Sequence, residues 1–225
     1  MITMQEWNAM SGKEQTLWLE ENTELSRRSE SQRGLVYGVG VNDAPYCVET
    51  RIDGKRVACP AYSAWRGMLY RAYSDKHHAR RPTYSGVKVC EEWKNLCAFR
   101  DWWMVNQVDG WQLDKDLMSD SREYSPETCL FVPAWLNLFT TARGAARGAH
   151  PIGVSFHKGT GRFQAQCRNT VSNKNKPIGL FDTPEEAHEA WLAHKLELAL
   201  ELKPKMDEID QRIYKRVCEI ISNAK

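Results

Sequence analysis

No apolar run in the 225 residues approaches the roughly 18 that a membrane helix needs. The first residues, MITMQEWNAM, lack the apolar core of a secretion signal, so a soluble, non-membrane protein is expected. The seven cysteines, at positions 47, 59, 90, 97, 129, 167 and 218, form no C-x-x-C pair. An odd count with irregular spacing argues against a disulfide frame or zinc site and for reduced thiols in a cytoplasmic protein. There is no nucleophile elbow, phosphate-binding glycine loop or His-rich zinc motif. Net charge is also scarce, at +2. The most informative absence is local: Arg143 to Lys176 contains no Asp or Glu while carrying Arg143, Arg147, Lys158, Arg162, Arg168, Lys174 and Lys176.

That cationic stretch overlaps a strand pattern. Val154 and Phe156 alternate with Ser155 and His157; Gly159-Thr160-Gly161 makes a turn; Phe163, Ala165 and Cys167 then alternate with Gln164, Gln166 and Arg168. Period two on both sides of a turn predicts a hairpin with one apolar and one polar face. Lys176 to Phe181 can add a third strand after the polar loop 169–175. Thr183-Pro184-Glu185-Glu186 then opens a helix, with Thr183 as N-cap, Glu186 closing a capping box and Pro184 at the first turn. Ala187, Ala190, Trp191 and Leu198 give that helix a face to cover the apolar strand face. The polar face is left free, either as a solvated hairpin or as a surface for phosphates and base edges.

The stretch resembles the ethylene-response-factor (APETALA-two) DNA-binding domain. The matching pieces are Gly153-Val154, the turn ending at Gly161, FQAQCR from Phe163 to Arg168, GLFDT from Gly179 to Thr183, and Glu185-Glu186-Ala187 leading to Trp191. The resemblance implies a three-stranded sheet laid in the major groove of double-stranded DNA. The groove-facing candidates are Ser155, His157, Arg162, Gln164, Gln166 and Arg168, with Lys158, Lys174 and Lys176 for phosphates. Ser and Gln stand here where plant members favour Arg or Trp, so their target sequence does not carry over.

Toward the N-terminus, residues 1–30 are expected to form one or two short helices around Trp7, Leu17, Trp18 and Leu25. They hold six glutamates against three basic residues, a surface suited to packing or to a host protein rather than to DNA. Residues 26–34 read as a linker. Tyr46–Val48 and Arg51–Ala58 flank Asp53-Gly54 as a hairpin. A helix from Pro60 carries Tyr62, Trp65, Met68, Leu69 and Tyr73 at core spacing, and another near Glu91–Met104 carries Trp93, Leu96, Phe99 and Trp103. Between them lies a basic connector, KHHARRP, whose His77-His78 pair suggests a metal less than it suggests solvation. Its Arg80 and Arg81 are candidate phosphate contacts. Met206, Ile209, Ile213, Val217 and Ile220 mark a last amphipathic helix, for packing on its own domain or for dimerisation.

Trp111 to Asn137 reads as a strand to Met118, a polar loop, a strand near Cys129–Val132 and a helix from Pro133. Strand, strand, helix is the plan of the ββα-metal nucleases. The region resembles the HNH endonuclease superfamily, and more closely bacteriophage proteins that join a divergent HNH-like unit to the DNA-binding domain above. The marks are Trp65, YSGVKVCEEW from Tyr84 to Trp93, Leu113-Asp114-Lys115-Asp116, YSPETC from Tyr124 to Cys129, and Asn137.

The resemblance implies a phage-encoded DNA-binding hydrolase, an endonuclease or nickase using Mg2+ or Mn2+ in a bacterial host's cytoplasm. Asp114 and Asn137 would be the metal ligands. Lys115 stands in the place of the catalytic histidine and Cys129 in that of the bracing asparagine. A lysine base starts from a pKa of about 10.4 against about 6.5, so neutrality at pH 7 needs roughly 4–5 kcal/mol of compensation. Neighbouring Asp114 and Asp116 favour the ammonium, so Lys115 suits contact with the scissile phosphate better than proton abstraction. The alternatives are a catalytically silent DNA-binding regulator or host-protein inhibitor, with Asp114, Lys115 and Asp116 making only ion pairs. The expected fold is α+β: an acidic helical region at 1–34, an HNH-like module at 35–142, a three-stranded antiparallel sheet on a helix at 150–202, and a terminal helix at 203–225.

Overall fold

The computed structural model describes residues 2–140 and 150–224; Arg143 and Arg147 of the cationic stretch lie outside them. The chain is α+β and divides into two compact units, Met1–Phe131 and Val132–Lys225. Among the described residues no helix is long and apolar enough to cross a membrane.

The first unit opens with α1 (Met4–Ala9) and α2 (Gly12–Asn22). Each starts with a capping box, Thr3 with Glu6 and Ser11 with Glu14, which satisfies otherwise orphaned N–H groups. Trp7 and Leu19 are buried in the same core as Tyr46, Trp65, Trp93 and Phe99, so the acidic segment is part of this unit's body. The stretch read as a linker contains a short helix, α3 (Arg27–Ser31). Just after it, the Arg33 guanidinium donates to the carbonyls of Asn42, Ala44 and Tyr46.

Strands β1 (Glu49–Ile52) and β2 (Lys55–Ala58) form a hairpin about the expected Asp53-Gly54 turn, while Tyr46–Val48, expected as its first strand, lies before β1. Asp53 and Gly54 both adopt positive φ, the geometry a two-residue turn of matching twist requires. Helix α4 (Pro60–Tyr73) buries Trp65, Met68 and Leu69, and the Trp65 indole donates to the Trp93 carbonyl at 2.7 Å. The basic connector is itself a short helix, α5 (Asp75–Arg80), capped by Ser74. A two-residue strand, β3 (Lys88–Val89), precedes α6 (Leu96–Asn106), which begins late because Glu92–Lys94 forms a 3₁₀ turn.

The ββα region contains β4 (Gln112–Asp114), β5 (Glu123–Tyr124), β6 (Leu130–Val132) and α7 (Ala134–Thr140). Strand β4 neighbours β6, while β5 pairs in parallel with β3. The first strand, expected to reach Met118, ends at Asp114, whose side chain turns the chain.

The second unit carries β7 (Val154–His157), β8 (Arg162–Asn169) and β9 (Lys174–Phe181) as an antiparallel sheet in the order β7-β8-β9. Helix α8 (Pro184–Asp207) starts with the expected Thr183/Glu186 capping box and packs across the sheet. Val154, Ala165 and Cys167 are buried, as are Ala187 and Trp191 of the helix. Gly153 sits at positive φ under the Trp191 indole, so any side chain there would run into the ring. The terminal helix expected at 203–225 begins later: α8 continues through Pro204 to Asp207 and takes in Met206. Proline there forfeits one hydrogen bond near the helix end, while Leu202 and Met206 on either side are buried. Helix α9 (Ile213–Ser222) buries Ile213, Val217 and Ile221 and packs against α8.

Candidate nucleic-acid interface and the Asp114 loop

Directly opposed residues of antiparallel strands share a face, so strand register fixes what the sheet presents. Opposite the helix lie the cross-strand rows His157–Arg162, Ser155–Gln164–Leu180, Gln166–Pro177 and Arg168–Asn175. This free face therefore brings together all six groove-facing candidates. His157, Arg162 and Arg168 are exposed at its ends, and Ser155, Gln164 and Gln166 are half-buried between them. Lys158 is exposed in the β7–β8 turn.

Lys174 and Lys176 are placed differently. A register shift at Ala165/Gln166 leaves β9 one residue longer than β8 there, and beyond it Lys176 opposes the buried Cys167 and Lys174 opposes Asn169. Both lysines are exposed, but they belong to the helix-side face rather than to the glutamine row.

The polar side chains of the free face are tethered. Arg162 Nε donates to Asp182 Oδ1 at 2.8 Å, Asn175 Nδ2 donates to Gln166 Oε1 at 3.4 Å, and Arg168 bonds Asn173. The His157 ring meets the Thr160 hydroxyl at 2.9 Å. Sequence reading missed these partners. Asp182 could have been found by extending the Phe163–Phe181 pairing one step, and Asn173 by its fitness for the positive φ it adopts in the turn.

In the first unit, Asp114 Oδ1 accepts the backbone N–H groups of Asp116 at 2.9 Å and Leu117 at 2.8 Å, closing a tight turn after β4. Burial raises its carboxyl pKa against the lowering effect of these bonds, and the charge of Asp116 adds to the rise. Lys115 is buried, only 6% exposed, with its ammonium paired to Asp116 and 5.8 and 5.7 Å from the ring centroids of Tyr84 and Tyr124. The Tyr124 hydroxyl in turn accepts from Arg71 Nε at 2.9 Å.

The YSPETC motif is a locked loop: Ser125 donates to Glu127 at 2.6 Å, and Thr128 donates to the Glu123 carbonyl at 2.7 Å. Cys129, in the bracing position, is buried with its thiol pushed up to about 12 by desolvation.

Asp114 belongs to the first unit and Asn137, half-buried on α7, to the second. Among the described residues no group of three or more His, Cys, Asp and Glu side chains could hold a metal ion. A hard divalent cation takes six or more oxygens. Of the two expected ligands, Asp114 is one carboxylate already turned to two backbone amides, with an ammonium next in sequence, and Asn137 is one neutral amide. These donors fit Mg2+ or Mn2+ poorly.

On α5, the two histidines are engaged separately. The His77 ring lies edge-on between Tyr70 and Tyr84, and burial lowers its pKa, whereas His78 Nε2 lies 3.1 Å from the Arg71 carbonyl. Arg80 and Arg81 are exposed at the end of that helix. In the N-terminal helices, Glu6 and Glu14 are spent on capping boxes and Glu20 on an ion pair with Arg100. Compared with known proteins, the chain matches no family model, no curated protein and no solved structure.

Proposed function

We propose that this protein binds duplex DNA through the free face of β7, β8 and β9, without cutting it. The observation that carries the proposal is the composition of that face. Arginine and histidine stand at its ends, amide and hydroxyl side chains between them, and its one acidic group, Asp182, is paired to Arg162. End cations suit phosphates, while glutamines can pair with adenine and Leu180 can meet a thymine methyl. A two- or three-stranded ribbon is of a size the major groove admits.

The motifs quoted above support a kinship with phage proteins that join a divergent HNH-like unit to such a sheet, acting in a bacterial cytoplasm. Within that kinship, the burial of Lys115 favours a silent scaffold. An ammonium held between Tyr84, Tyr124 and Asp116 is not offered to a scissile phosphate, and Asp114 serves the turn. Among the described residues, Glu20 alone of the N-terminal glutamates is paired to a cation, Arg100, while Glu6 and Glu14 stay exposed in their capping boxes, so these helices keep acidic charge that could meet a host protein.

The test is a titration of the full chain with a labelled duplex over a salt series, beside a plasmid incubation with Mg2+ or Mn2+. Binding is expected to weaken with salt by a log–log slope of about −2 to −4, at roughly −0.9 per phosphate. No complex at the lowest salt would remove the proposal. Nicking that disappears in Asp114→Ala would replace the silent scaffold with a metal-dependent nuclease.

A further inference from the structure

Among the described residues, Arg162 is the one cation of the free face bonded to a carboxylate. Its partner, Asp182, follows the last residue of β9 and precedes the N-cap of α8, between two rigid elements. Phe163 opposes Phe181 at the end of the ladder, and one step beyond it the Asp182 carboxylate meets Arg162, which stands on the face in question. The bond is made by Nε at 2.8 Å, which leaves both terminal nitrogens of the guanidinium without that carboxylate. The Arg162 side chain is 44% exposed, so those nitrogens have access to a partner.

A carboxylate is a costly group to place on a surface that meets phosphates, since it repels them. Its position makes sense if it fixes the direction of the arginine. A guanidinium held at Nε presents two parallel N–H donors, the pattern that matches O6 and N7 of guanine in the major groove. An untethered arginine on the same strand would instead turn to the nearest phosphate, where the Coulomb energy is greater and no sequence is read.

Resting on the DNA-binding role proposed above, we infer that Arg162 is a base-reading residue specifying a guanine, and that Asp182 is its positioning residue, trading general affinity for sequence preference. Ser155, Gln164 and Gln166 in the adjoining rows would read neighbouring base pairs.

The experiment selects bound duplexes from a randomised pool with the full chain, then measures salt-dependent affinity for the selected and an unrelated duplex. Wild type is expected to enrich guanine at one position by about tenfold or more over other bases, the discrimination of a bidentate contact. Arg162→Lys keeps the charge and is expected to lose preference at that position alone. Asp182→Ala is expected to lose the same preference, bind the unrelated duplex several-fold more tightly, and steepen the salt slope by about one, as the freed arginine neutralises a phosphate. A thermal melt of each variant checks that the fold persists, and Asp182→Glu serves as the conservative control, expected to restore part of the preference. The inference is overturned if Asp182→Ala keeps the guanine preference, or if all positions relax together. Failure of wild type to retain any duplex would instead bring down the DNA-binding role itself.

Discussion

The Lys195 ammonium lies 3.4 Å from the centroid of the Phe139 ring, and Lys195 is buried on the helix that covers the sheet. Desolvation lowers its pKa to about 8, with the nearby Cys167 thiol acting slightly the other way. The ring offers the ammonium a partner, but a single cation–π contact does not replace water.

Stability should therefore depend on pH through this residue in a defined direction. A depressed folded-state pKa means the group contributes most above its ordinary value of 10.5 and loses that contribution as pH falls through about 8. At neutral pH, Lys195→Met is expected to stabilise the protein by on the order of 2–3 kcal/mol, a gap that narrows as pH rises toward 10. Urea denaturation of both proteins across that range measures it; a gap independent of pH would mean the lysine finds water.

At Asp114 the buried carboxylate has a raised pKa, so its contribution is fully present below the ordinary value of 3.8 and is lost as pH rises through the folded value. Ionisation at neutral pH is thus a cost, offset by the two backbone bonds its oxygen accepts. Asp114→Asn keeps an acceptor oxygen and should be near neutral in stability, whereas Asp114→Ala should cost about 1–3 kcal/mol. Calorimetric melts with and without added Mg2+ decide. A metal-dependent rise in wild-type melting temperature, absent in both variants, would restore a ligand role.

Arg168 and Lys176 separate the two faces of the sheet. Arg168→Ala should weaken DNA binding and make the log–log salt slope shallower by about one, while Lys176→Ala should change the slope far less. Equal effects in a salt titration would show that DNA meets the sheet's end rather than its face.

Much of the second unit is legible in the sequence because its signals are local. Period-two alternation around Gly159-Thr160-Gly161 and the Thr183–Glu186 box need no distant partner to be read. That Lys174 and Lys176 share the helix-side face could not be read locally, since it follows from one extra residue in β9, and a one-residue shift exchanges the faces of a strand and leaves no mark on composition. Pro204 looks like a stop because proline forfeits a hydrogen bond, but burial of Leu202 and Met206 outweighs that loss.

In the first unit, Lys115 between two aspartates reads as a phosphate contact or a member of surface ion pairs. Its burial depends on Tyr84 and Tyr124, and Tyr84 lies some thirty positions earlier in the chain, beyond any local pattern. The basic connector, read from its charges, is a short helix capped by Ser74.

The most direct test of the central claim is an NMR titration of the full chain with a short duplex, following backbone amides and glutamine side-chain amides. The account predicts the largest shifts at Ser155, Gln164, Gln166 and Arg168, with the outward surface of α8 little changed. Shifts confined to α8 or to the first unit, with Gln164 and Gln166 unmoved, would contradict it.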